Sequence, residues 1–284
     1  MAAVFAPAVQ ELRPDGLLGE DEFALAVRLI HEFAGIRIGP QKRQMVHNRL
    51  ARRLKALHLH DFGAYLSRVQ QDAAEREAFV NALTTNLTAF FREPHHFELL
   101  SQHALKHRHL HARALRVWSA ACATGEEAWS AAMVLREAGC AAEVLATDID
   151  THALELAGAG EYALERMEAV SPQRLRTHWL RGTGRHEGKA CVRPELRALV
   201  RFLPLNLQAP LWPPMEPFDA IFCRNVVIYF DRESQQRLVG RFAQLLRPGG
   251  LLMVGHAESF PAAHPAFRAC GRTAYQRIGL AGAA

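Results

Sequence analysis

The chain has little sulfur, and nothing in it reads as a membrane anchor. Its five cysteines, Cys122, Cys140, Cys191, Cys223 and Cys270, are odd in number, widely spaced and form no C-x-x-C pair, which argues against a disulfide framework and for a reduced cytoplasm. No apolar run approaches the ~20 residues that cross a bilayer. The opening Met1 to Val9 lacks both a basic leader and a long apolar stretch, so an unexported, cytoplasmic protein is expected. Acidic residues are missing between positions 33 and 60, where Arg37, Lys42, Arg43, Arg49, Arg52, Arg53 and Lys55 are all basic. That one segment outweighs the formal charge of the whole chain, +5. What remains is ordinary globular material: 284 residues, 49% hydrophobic and 22% charged, fill at least one sizeable core and exclude disorder and collagen-like repeats.

The pattern changes along the chain. From 21 to 83, Phe23, Val27, Ile30 and Phe33 recur at helical spacing, as do Val46, Leu50, Leu54 and Leu57. Pro40 suits a helix start. Arg53 falls near the middle of the second apolar stripe, an unusual place for a residue that is merely solvated. The segment is either a solvated basic helix in a small packing domain or a docking face for an acidic protein or nucleic acid. After Arg116, short β-rich runs at 116–121, 143–148, 200–205, 218–223 and 251–255 alternate with helical stretches, the signature of a parallel α/β sheet. The glycine-rich run Arg181-Gly182-Thr183-Gly184 is read as a β excursion inserted into that series, or else a long loop. The expected organisation is a tail at 1–19, a basic helical domain at 20–85, a linker at 86–115 contributing to the site, and an α/β domain at 116–284 with its insert near 181–200.

The first strand-to-helix junction reads Cys122-Ala123-Thr124-Gly125-Glu126-Glu127. It lacks G-x-G-x-x-G and puts two carboxylates where a pyrophosphate would sit, so a cationic, phosphate-free nucleoside such as S-adenosylmethionine fits better. The alternative is that the pair only offsets the helix dipole. Asp148 ends the second strand, where an acid accepts ribose hydroxyls, while Asp150 suits the cap of the next helix. Asn206 offers an amide to an adenine edge or simply forms a turn. Arg224 and Asn225 end an otherwise apolar strand, with Tyr229 close behind. Upstream, Asn86, Thr88 and Arg92 lie among bulky apolar residues. The histidines His103, His107, His109 and His111 lack the local carboxylate or thiol of a metal site, and H-E-x-x-H is absent.

Together the stretches Asn86-Leu87-Thr88-Ala89-Phe90-Phe91-Arg92-Glu93, Thr124-Gly125-Glu126-Glu127, Ala146-Thr147-Asp148-Ile149-Asp150, Phe222-Cys223-Arg224-Asn225-Val226, Ile228-Tyr229-Phe230 and Gly255-His256-Ala257-Glu258-Ser259 resemble the CheR-type chemoreceptor glutamate O-methyltransferases. The resemblance runs from about residue 20 to nearly the end. It implies a Rossmann-like S-adenosylmethionine-dependent sheet, with a small inserted β-subdomain and an N-terminal all-helical domain. It further implies methyl transfer to glutamate side chains of chemoreceptors, giving methyl esters and S-adenosylhomocysteine, with no metal, no nucleic acid and no membrane insertion. Cofactor contacts are implied for Asn86, Thr88, Arg92, Glu126 and Asp148, and for Asn206, Leu207, Arg224 and Asn225. Arg92 and Tyr229 are the expected catalytic residues, and Arg92 is expected to steer either the acceptor or the cofactor's carboxylate. The expected partner is the cytoplasmic helical bundle of the receptor, met by Arg49, Arg52 and Arg53, so that the enzyme joins membrane receptor arrays through the receptors. In pentapeptide-dependent members a receptor C-terminal peptide pairs with the β-subdomain, here through Arg181, Gly182 and Gly184. One departure is Ala128-Trp129, where the family usually has Pro-Tyr. The rivals are a nucleic-acid methyltransferase, against which stacking aromatics and Asn-Pro-Pro-Tyr signals are missing, and a non-catalytic regulatory module.

Overall fold

A computed structural model of the chain describes residues 17–259, 261–262 and 264–279. These divide into two compact units, residues 17–33 with 38–83, and residues 34–37 with 84 onward. Of the expected tail, only Leu17, Leu18 and Gly19 are among the described residues. Among the described residues no helix is long and apolar enough to cross a membrane.

The first unit is helical: α1 (Glu20–Ala34), α2 (Arg43–Ala56), α3 (Phe62–Gln71) and α4 (Ala73–Leu83). Pro40 opens a single tight turn, Pro40–Lys42, that runs directly into α2. In α2 the apolar residues Val46, Leu50 and Leu54 recur every four positions, so they share one face, and all three are buried. Each such side chain contributes about 1.5–3 kcal/mol on leaving water. Asp61 caps α3, its carboxylate accepting the Ala64 N–H at 2.6 Å.

The second unit runs α5 (His95–Leu110), β1 (Leu115–Ser119), α6 (Glu126–Glu137), β2 (Ala142–Asp148), α7 (Thr151–Ala159), β3 (Glu161–Ala163) and α8 (Pro172–His178). It continues through β4 (Trp179–Arg181), β5 (Lys189–Val192), α9 (Pro194–Arg197), β6 (Val200–Pro204), β7 (Phe218–Cys223) and α10 (Arg232–Leu245). It ends with β8 (Leu246–Val254), β9 (Phe267–Gly271) and β10 (Ala274–Arg277). Seven strands make one sheet in the order β6-β2-β1-β7-β8-β10-β9. The first five are parallel, and β10 runs antiparallel to both β8 and β9. This is the Rossmann-like α/β sheet that the sequence predicts.

Alternation along each strand divides the core in two. Val117, Ala146, Phe222 and Met253 point to the face covered by α5 and α6. Trp118, Ile221, Cys223 and Leu252 point to the other, under Leu238 and Phe242 of α10. Trp118 anchors that second face, stacked on Phe218 at 5.4 Å and edge-on to Phe242 at 5.5 Å.

A separate antiparallel sheet, β3-β5-β4, interrupts the series between β2 and β6. Its strands start at Glu161, upstream of 181–200, because β3 is only three residues long and carries no alternation to read. Tyr162 and Trp179 fix this sheet to the core through Phe90, all three rings meeting edge to face. The chain steps outward from β1 to β2 and β6 and then returns to β7 on the opposite side of β1. A crevice at the carboxyl ends of the strands follows from that reversal.

Candidate functional site

The loop after β1 is bent tightly against the sheet. Gly125 has φ +94°, and a Cβ there would lie 2.7 Å from Ala157 Cβ and 2.9 Å from Tyr162 Oη, so only glycine fits. Tyr162 Oη donates to the Thr124 carbonyl at 2.6 Å. Trp129, at the position where the resemblance departs, is fully buried and donates from Nε1 to the Ala157 carbonyl at 3.2 Å.

Both glutamates at the start of α6 are buried and internally paired. Glu126, 0% exposed, accepts from Thr124 Oγ1 at 2.8 Å and pairs with Arg166. Glu127 accepts from Ser119 Oγ at 2.6 Å and from Arg224 Nε at 2.6 Å. The crevice therefore carries less free negative charge from this pair than the sequence suggests. Arg166 escaped the sequence reading because it lies beyond β3, outside every recognisable motif.

Asp148 differs. Only 9% exposed at the end of β2, it accepts the backbone N–H of Ala123 at 2.8 Å and of Asp150 at 3.0 Å. Burial pushes its carboxyl up despite those N–H groups. An ionised carboxylate has about four acceptor positions, so capacity for hydroxyl donors remains. Asp150 is the cap of α7, accepting from Ala153 N at 3.0 Å, and its other oxygen accepts from Thr84 Oγ1 at 2.6 Å and Asn86 Nδ2 at 2.7 Å. Asn86 is thus held two residues from Asp148.

After β7, Arg224 is held through its Nε and Nη1. Besides Glu127, it donates from Nη1 to the Arg92 carbonyl at 2.6 Å and to His96 Nδ1 at 3.2 Å, with Glu93 Oε2 at 3.5 Å. Burial, and then the Arg224 charge, push His96 down to about 3, so the ring is neutral. Its Nε2–H faces Thr273 Oγ1 at 2.9 Å. Glu93, His95 and His96 place ligand-type atoms within 4.8 Å of one another. A metal would have to displace the guanidinium that already occupies the His96 lone pair. Arg92 itself is half-buried, and among the described residues its guanidinium donates only to the Leu87 carbonyl, at 2.9 Å. Most of its fork stays available.

The remaining expected residues are more loosely placed. Asn206 Oδ1 accepts the Gln208 N–H at 2.8 Å, which makes it a turn former, and Leu207 is buried in the second core cluster. Asn225 and Tyr229 are half-buried, as is Thr88. In the helical unit, Arg53 makes a two-point pair with buried Glu75, at 3.1 and 2.8 Å. That pair explains why an arginine lies near an apolar stripe. Arg49 donates to the Leu83 carbonyl at 3.0 Å, whereas Arg52 is exposed. In the small sheet, β4 is an edge strand beside a groove of about 310 Å³ lined by Leu180, Arg181, Gly182, Thr183, His186 and Lys189. Gly184 opens the short turn between β4 and β5.

Residues 86–276 match the family model described as CheR methyltransferase, SAM binding domain, and residues 21–84 match CheR methyltransferase, all-alpha domain. A chemotaxis protein methyltransferase of Klebsiella aerogenes is 48% identical over 264 residues, covering 91% of this chain and 90% of that protein. One of Escherichia coli is 48% identical, covering 91% of each. Among solved structures, TrmN from Thermus thermophilus aligns at 19% identity and a TM-score of 0.40, covering 70% of this chain and 51% of that one.

Proposed function

Because the chain belongs to the CheR methyltransferase family and carries its S-adenosylmethionine-binding domain, we propose that it methylates glutamate side chains of chemoreceptors, giving methyl esters and S-adenosylhomocysteine. The observation that carries this reading is the contrast between two arginines. Arg224 is buried, with its Nε on Glu127 and its Nη1 on the Arg92 carbonyl and His96, while Arg92 keeps guanidinium donors for an incoming carboxylate.

The bound cofactor supplies a methyl group on a cationic sulfur. Asp148 fits its ribose, having acceptor capacity left at a strand end, with Asn86 beside it and Asn225 across the crevice. Glu126 and Arg224 shape the site from beneath, each neutralised by its own partner. The acceptor glutamate, with a reference pKa near 4.3, is ionised at neutral pH and requires no general base. What the protein must provide is alignment, which supplies up to roughly 7–11 kcal/mol of a barrier. Arg92 orients the carboxylate, and Tyr229 borders the transferring methyl.

For docking, α2 presents Arg52 outward to the acidic face of a receptor helical bundle, while Arg49 and Arg53 hold the helical unit together. The free edge of β4, with Arg181 exposed beside Gly182, suits addition of an extended receptor C-terminal peptide as a further strand. Tethering of this kind raises local substrate concentration without new catalytic contacts.

The test is incubation with cofactor labelled in its methyl group and receptor-containing membranes, with RNA as a separate acceptor. Base-labile label on the receptor is expected. Label on RNA, or none on receptor while the cofactor still binds, overturns the reading.

A further inference from the structure

The turn after β8 holds a buried carboxylate that the mechanism above leaves without a role. Glu258 Oε2 accepts the backbone N–H of Gly255 at 2.7 Å and of Asn225 at 2.8 Å, and its Oε1 accepts that of Val227 at 2.8 Å. Asn225 has φ +59°, a left-handed backbone that a non-glycine residue keeps only when its surroundings enforce it. Val227 opens the tight turn Val227–Tyr229, whose first N–H groups have no partner within the turn. The same stretch also meets the segment before α5, where His256 N–H donates to Glu93 Oε1 at 3.3 Å, next to Arg92. Gly255 permits the closure, since a Cβ there would lie 2.5 Å from Asn225 Nδ2 and 2.8 Å from Glu258 Oε2. Burial pushes the Glu258 carboxyl up even against three N–H donors, so the group is held away from water.

We propose that Glu258 is a positioning residue for methyl transfer. Its carboxylate fixes Asn225 in the left-handed conformation and sets the height of Tyr229, acting entirely through backbone N–H groups. This deepens the functional reading and rests on it for the roles of Asn225 and Tyr229. Glutamine at this position supplies one acceptor oxygen and turns an NH₂ group toward an N–H.

The test compares Glu258→Gln with Val239→Ala, a control that only trims apolar contact in α10. Both are assayed below their unfolding transitions. Titration with S-adenosylhomocysteine is expected to show at least a tenfold weaker Kd for Glu258→Gln, and kcat at saturating cofactor is expected to fall at least tenfold. Val239→Ala keeps both within threefold. Gly255→Ala, which retains the carboxylate but displaces Asn225, is expected to weaken the Kd in the same way. A folded Glu258→Gln protein with Kd and kcat within threefold of the wild type overturns the proposal. Should neither variant fold, amide exchange of the wild type decides: Asn225, Val227 and Gly255 are expected to exchange slowly, and exchange as fast as at Gly184 overturns it. The titration needs no receptor, so wild-type binding without receptor labelling defeats the substrate reading and leaves this one standing.

Discussion

The guanidinium of Arg224 meets the carboxylate of Glu127 at 2.6 Å, although 97 residues separate them and both side chains are under a tenth exposed. The pair joins the end of β7 to the start of α6, so the two loops flanking the strand-order reversal share one electrostatic tie.

Arg224→Met is expected to lower unfolding stability by about 3–5 kcal/mol, because it leaves a buried carboxylate uncompensated. Adding Glu127→Gln should recover part of that loss. Urea unfolding of the single and double variants checks this; equal stability of the two would mean the pair is not coupled.

Acid sensitivity should trace to His96. Its folded pKa, near 3, lies below the unfolded value of about 6.5, so the neutral ring contributes stability above about pH 6.5 that is lost as pH falls toward 3. At pH 5 the loss amounts to roughly 2 kcal/mol. His96→Gln removes this component, and denaturant unfolding from pH 7 to 5 should show a shallower decline than in the wild type. Identical slopes would place the acid sensitivity elsewhere.

Asp148→Ala is expected to weaken cofactor binding by about 1.5–3 kcal/mol, the range for hydrogen bonds to a charged group. Calorimetry with S-adenosylhomocysteine measures it, and unchanged affinity rejects the ribose role.

The three arginines of α2 should separate. Arg53→Glu faces Glu75 with a like charge and is expected to cost about 1.5–3 kcal/mol of stability. Arg52→Glu is expected to stay within ±0.5 kcal/mol while slowing receptor methylation. A receptor-labelling rate unaffected by Arg52→Glu removes docking from this face.

The main sheet was legible because its buried strands are apolar runs bounded by turn residues, and the strand 218–223 emerges with the bounds read from sequence. The cap at Asp150 was legible for a local reason: its carboxylate bonds an N–H three residues on. The pairings of Glu126 with Arg166, Arg53 with Glu75 and Glu258 with the loop after β7 were not. Their partners lie 22 to 40 residues away, and a charge in sequence does not declare whom it meets once water is gone. The paired glutamates therefore read as a cation trap when each is in fact neutralised within the fold.

Those internal pairings bear on exchange of parts between relatives. A graft that imports the first strand-to-helix junction alone brings in two carboxylates, and Arg166 and Arg224 must stand at their own positions to receive them. Chimeras cut between residues 127 and 166 inherit half of each arrangement, and only donors with both arginines in register should yield a working hybrid.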